Sequence, residues 1–168
     1  MGTRGREIVG MDVDKLIGKL NAALADEWLA YYQYWVGARL AKGPMRGIVS
    51  SELNEHAGEE LEHAEILVER ILQLGGKPIL NPKDWFEKTN CGYDTPMDPS
   101  TMSLLEQNIK GEQCAIDVYV KLMNEVKDAD PITYNIIVDI LEDEVQHEED
   151  LQAIFEDIEM MKEKHICA

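Results

Sequence analysis

The chain has 168 residues, enough for one compact domain with a substantial apolar core. Its 33 acidic residues against 16 basic ones leave a formal charge of -17, which excludes a basic face for direct nucleic-acid binding and favours metal cations as partners. No apolar run approaches the roughly 18 residues of a membrane span; three cysteines without a CxxC exclude a thiolate zinc knuckle or rubredoxin-type iron, and the cytoplasm is the expected compartment.

Residues 1–11 read as a flexible N-terminal tail. Asp12 or Asp14 can cap a first helix that runs through Lys42 and is stopped by Gly43-Pro44. A second helix spans about Met45 to Leu74 and ends at Gly75-Gly76. From Lys77 to Pro99 four prolines and Gly92 make a connection in which KDWFEK supplies one short helical turn. Asp98, Ser100 or Thr101 caps a third helix to about Lys127, and Pro131 opens a fourth that reads to about Lys164, leaving 165–168 as a C-terminal tail. Each helix is about 30 residues, or roughly 45 Å long. Short joints pair the first helix with the second and the third with the fourth, so residues 12–164 form an all-α four-helix bundle whose long connection must cross back between the second and third helices.

Steps of three and four place Leu20, Leu24, Glu27, Tyr31 and Tyr34 on one face of the first helix. The same spacing aligns Leu53, Ala57, Glu60, His63 and Leu67 on the second, Leu105, Ile109, Glu112, Ala115 and Tyr119 on the third, and Ile140, Glu144, His147 and Leu151 on the fourth. Every stripe carries a carboxylate where a bundle core wants an aliphatic side chain. An isolated buried carboxylate would protonate, so four converging ones call for compensating charge, and paired divalent cations supply it. Glu60-x-x-His63 and Glu144-x-x-His147 each follow an inward Glu by one antiparallel helix, and the i,i+3 spacing aims both side chains at one metal pair. Glu60 and Glu144 read as bridging ligands, Glu27 and Glu112 as terminal ones. Oxygen donors with one imidazole per metal suit iron, with manganese the competing metal. The alternative to a metal site is a polar network in the core. Tyr34, seven residues after Glu27, can hydrogen-bond a terminal carboxylate or donate an electron, with Tyr31 its competitor. His56 can reach the edge of the site or serve an access channel. Acidic neighbours such as Glu59, Asp143 and Glu148 read mainly as a solvated face.

ADEWLAYYQYW, GEELEHAEILVERI, IKGEQCAIDVY and DILEDEVQHEEDL resemble the ferritin-like di-iron carboxylate proteins over nearly the whole chain. The resemblance implies a ferritin-like four-helix bundle with Glu27, Glu60, His63, Glu112, Glu144 and His147 as ligands of a bacterioferritin-type ferroxidase centre and Tyr34 beside them. Leu61 stands where bacterioferritins carry a haem-ligating Met, so no haem is expected. The fourth helical pattern leaves no room for the extra helix of 24-subunit cages, which makes the chain most similar to the Dps-like proteins called thioferritins. That implies a homo-oligomer of twelve subunits which oxidises iron(II) with hydrogen peroxide or dioxygen, stores the product and protects against oxidative stress. The competing expectation is a di-metal peroxidase or manganese catalase-like enzyme that stores nothing.

The resemblance also implies a redox-active pair, Cys91 and Cys114. From the residues themselves, Cys114 lies about 200° around the helix from Glu112 and should point away from the metals. The crossover carrying Cys91 can approach it, and two unrelated thiols are the other reading. Cys167 reads as a free tail thiol and His165 as a surface residue. The tryptophans and methionines read as packing and contact residues.

Overall fold

The computed structural model describes residues 3–166, with side chains to residue 162; Cys167 and the side chain of His165 lie outside the described residues. The helices are α1 (Arg4–Glu7), α2 (Val13–Leu40), α3 (Arg46–Gln73), α4 (Trp85–Lys88), α5 (Thr101–Val126) and α6 (Pro131–Ile166). Helix α2 begins at Asp12, not Asp14, because the Asp12 carboxylate accepts from the backbone N–H groups of Asp14 and Lys15 at 3.0 and 3.2 Å. It ends two residues short of Lys42, whose backbone is taken by the crossover. The Lys42 N–H donates to the Pro99 carbonyl (2.8 Å), and the Thr101 N–H donates to the Lys42 carbonyl (2.9 Å). Gly43, with φ of 115°, makes the turn into α3 that a side chain would strain.

Ser100 caps α5, and Asp130 caps α6 by accepting from Ile132 and Thr133 N–H, with Pro131 in the first turn. KDWFEK forms a 3₁₀ turn at Pro82–Asp84 that runs into α4, and Trp85 stacks on Trp28 with ring centroids 5.3 Å apart. Residues 3–11, read as tail, hold α1 and lie against the bundle. Arg6 donates to the Leu74 carbonyl (2.7 Å), Gly10 N–H to the Ala129 carbonyl (2.7 Å), and Val9 and Met11 pack on the core. The two apolar side chains give this stretch a reason to dock.

Helix α2 packs on α3 and α5 on α6, and the two pairs meet along α2–α5 and α3–α6. The core is divided. One apolar cluster gathers Leu16, Leu20, Leu24, Leu67, Ile71, Leu122 and Ile137; the other gathers Leu53, Leu104, Leu105, Leu151 and Ile158. Each such side chain contributes about 1.5–3 kcal/mol by leaving water, which lets the bundle tolerate a polar layer at mid-height. That layer consists of buried Glu27, Glu60, His63, Glu112, Glu144 and His147.

The crossover is clasped beside this layer. Asp26 accepts from the backbone N–H of Asn90 (2.8 Å) and Cys91 (3.0 Å), from the Asn90 side chain (2.6 Å) and from the Thr89 hydroxyl. Gln33 accepts from Asp94 N–H at 3.1 Å, and a disulfide joins Cys91 to Cys114 on α5.

Candidate metal centre

The six carboxylate and imidazole side chains come together as two overlapping sets. Donor atoms of Glu27, Glu60, His63 and Glu144 lie within 4.8 Å of one another, as do those of Glu60, Glu112, Glu144 and His147. Glu60 and Glu144 belong to both sets, Glu27 and Glu112 to one each. The His63 Nδ1 is 3.5 Å from Glu27 Oε2, 3.6 Å from Glu60 Oε2 and 3.4 Å from Glu144 Oε1. The His147 Nδ1 is 3.5 Å from Glu60 Oε1 and 3.7 Å from Glu144 Oε2.

Helix period explains the convergence: residues three apart share a face, and α3 and α6 each present a Glu and a His from consecutive turns. Seven inward atoms are buried without a hydrogen-bond partner: Glu27 Oε2, Glu60 Oε1, His63 Nδ1, Glu112 Oε2, both oxygens of Glu144 and His147 Nδ1. Buried polar atoms normally have partners. Orphans that all face one chamber are the arrangement two cations would satisfy.

Protons stand in for such charge in the protein alone. Burial, and after it the neighbouring Glu60 charge, pushes the Glu27 carboxyl well above the carboxylate range; burial and Glu144 do the same to Glu112. Burial pushes Glu60 and Glu144 upward too, but the imidazoles of His147 and His63 facing them outweigh it and hold both carboxyls low. Burial likewise opposes charge on the imidazoles, yet the surrounding carboxylates raise His63 far above its ordinary range and His147 to about 10. The shifts thus favour charged imidazoles opposite the Glu60 and Glu144 carboxylates, and push Glu27 and Glu112 toward their neutral forms.

A second layer of residues repeats with the same two-fold pattern. The Tyr34 hydroxyl donates to Glu112 Oε1, across the bundle rather than to Glu27 on its own helix. Tyr119, which the sequence reading treated only as part of a stripe, donates to Glu27 Oε1. Its signal was present: Tyr119 follows Glu112 by the same seven residues that separate Tyr34 from Glu27. Each tyrosine engages one oxygen of a terminal carboxyl and leaves the other aimed inward. Tyr31 is not at the centre; it packs with Trp28, ring edge to face.

Glu59 and Asp143, each just before a shared Glu, are more than solvated surface. Glu59 accepts from His147 Nε2 at 2.8 Å and Asp143 from His63 Nε2 at 3.1 Å, which turns both Nδ1 atoms toward the chamber. Asp26, beside Glu27, was also missed; nothing in its spacing reveals that it clasps the crossover.

A disulfide joins Cys91 and Cys114. Their cystine does not turn away from the centre, however. It lines a cavity of about 230 Å³ whose wall also includes Glu27, Glu60, Glu112 and Glu144. The crossover, pulled in by Asp26, carries Cys91 onto that wall, so helical angle alone misjudges where Cys114 ends up.

A family model for the ferritin-like domain matches residues 17–161. The chain belongs to the ferritin-like family. A solved structure titled as a dodecameric thioferritin, the bacterioferritin-related protein of Bacteroides fragilis, superposes on the ferritin-like chain with a TM-score of 0.95 and 46% identity, covering 97% of this chain and 98% of that one. The DNA protection during starvation protein of Pyrococcus furiosus is 34% identical over 145 residues, 84% of this chain and 77% of its own length. The bacterioferritin of Rhodobacter capsulatus is 31% identical over 134 residues, 79% of this chain and 78% of its own. The all-α bundle with its long crossover, here between α3 and α5, is therefore the ferritin-like fold. Among the described residues no helix is long and apolar enough to cross a membrane.

Proposed function

We propose that the protein is a ferroxidase: it oxidises iron(II) at a two-metal centre within each subunit, using hydrogen peroxide or dioxygen, and retains the product inside a hollow homo-oligomer. The observation that carries this reading is the set of seven unpartnered donor atoms in two groups sharing Glu60 and Glu144. Glu60 and Glu144 would be shared by the two metal positions, and Glu27 with His63, and Glu112 with His147, would complete one each. Oxygen-rich donor sets with a single imidazole suit iron(II), and manganese(II) is the metal most able to substitute. Bound iron(II) supplies one electron per ion, so two ions reduce one peroxide, with two protons, to two waters. The protein's own part is to hold the donors in place. Tyr34 and Tyr119 orient the terminal carboxyls, and Glu59 and Asp143 fix the imidazoles. The cavity beside the cystine gives a small oxidant access from the crossover side. Leu61 offers no sulfur to a haem iron, and the acidic surface argues for protecting nucleic acid by removing iron and peroxide rather than by contact.

The likeness to a protein titled dodecameric supports a twelve-chain shell. Twelve chains of 19.1 kDa would have a mass of about 230 kDa by light scattering; a dimer would remove the cage. Stopped-flow oxidation of two iron(II) per chain should be fast with peroxide or dioxygen and lost in Glu60→Ala. Unchanged rates and metal content in that variant would refute the assignment, and oxygen release from peroxide without iron uptake would favour a catalase-like enzyme.

A further inference from the structure

The centre's two-fold pattern is broken in one direction. Glu60 and Glu144, His63 and His147, and Glu59 and Asp143 are counterparts on α3 and α6. Extending the same register pairs Glu52 with Ile136, His56 with Ile140 and Asp150 with Ile66. At one end of the centre the bundle therefore carries three isoleucines, and at the other a Glu, a His and an Asp. Ile140 is buried in the core, as a bundle requires. His56 is just as buried, at 2% exposed, although its ring carries two polar nitrogens.

His56 lacks the partners that would explain it as a structural residue. Its Nδ1 is buried without a hydrogen bond, and its Nε2 approaches Glu52 Oε1 only to 3.4 Å. Its ring stacks on His147 with centroids 4.1 Å apart. Donor atoms of Glu52, His56 and Asp150 lie within 4.8 Å of one another, and all three line a small pocket of about 70 Å³ whose wall also includes His147 and Glu59.

We propose that Glu52, His56 and Asp150 form an outer divalent-cation site that feeds the buried centre through its His147 end. This rests on the two-metal reading above. Two carboxylates and a neutral imidazole form a hard, weakly charged donor set, suited to holding iron(II) briefly. The isoleucines at the other end offer no such foothold, so loading is one-sided, and the cavity beside the cystine is left free for the oxidant.

The test uses the whole assembled protein, anaerobic manganese(II), equilibrium dialysis and electron paramagnetic resonance, at about 0.15 M ionic strength to screen diffuse binding. Wild type should hold three manganese ions per chain, the third more weakly than the other two. Glu52→Gln combined with Asp150→Asn, which alters only partly exposed side chains, should hold two, as should His56→Ile, which copies the counterpart residue. At sub-saturating iron(II) both variants should oxidise about tenfold more slowly. Two ions in wild type, or three in the variants, would overturn the outer site and leave the two-metal centre standing. A single ion in wild type, lost in the Glu52 and Asp150 variant, would instead remove the two-metal centre.

Discussion

Loading the centre with metal should expel protons. The carboxylates around His63 and His147 hold their pKa values up and favour the charged imidazoles at neutral pH, and burial shifts Glu27 and Glu112 toward their neutral forms. Any proton on these groups must leave before they become ligands. Two divalent cations per chain should therefore release protons at pH 7, at least the two that the imidazoles favour. A pH-stat titration with anaerobic manganese(II), or calorimetry in buffers of differing ionisation enthalpy, reads this number directly. The sign of the pH dependence follows. Groups with raised pKa compete with metal wherever they are protonated, so affinity should strengthen as pH rises and go on strengthening towards the His147 value of about 10. Glu60→Gln should lower both the stoichiometry and the proton count. Fewer than two protons per chain, or an affinity flat between pH 6 and 9, would refute this account of how the buried charge is balanced.

Asp130→Ala should destabilise the fold by about 4 kcal/mol, because it strands the buried Arg70 guanidinium, 2.6 Å away, and removes the α6 cap. Burial opposes the Asp130 charge, but Thr133 and Arg70 outweigh it and depress its pKa below 3.8. The difference in denaturant midpoint between wild type and variant should therefore hold from neutral pH to about 4 and close in stronger acid; a gap that widens there would contradict this. Glu59→Gln should weaken the metal position that uses His147 by about tenfold and spare the other, and Asp143→Asn should do the converse. Site-resolved manganese spectra distinguish the two positions. Reduction of the cystine, which closes a 23-residue separation, should cost about 3 kcal/mol in the chain-entropy picture; denaturant midpoints with and without a phosphine reductant measure it. A loss below 1 kcal/mol would mean that the Asp26 and Gln33 clasps hold the crossover unaided.

Sequence alone determined the four long helices, their order and the inward faces of Glu27, Glu60, His63, Glu112, Glu144 and His147. Helical period is a local property, and a carboxylate on an apolar stripe is visible without knowing its neighbours. Tyr119 was legible as well, through the seven-residue spacing it shares with Tyr34. Tertiary structure alone decided who touches whom. Tyr34 serves Glu112 and Tyr119 serves Glu27 because α2 and α5 pack antiparallel, so an offset of about 10 Å along one helix is met from the other. The same reciprocity on α3 and α6 gives His147 to Glu59 and His63 to Asp143, residues that look like ordinary surface acid in one dimension. The crossover path depends on Asp26 catching four backbone and side-chain donors from a segment more than sixty positions away. No periodicity encodes such contacts, because they form only once the bundle has closed.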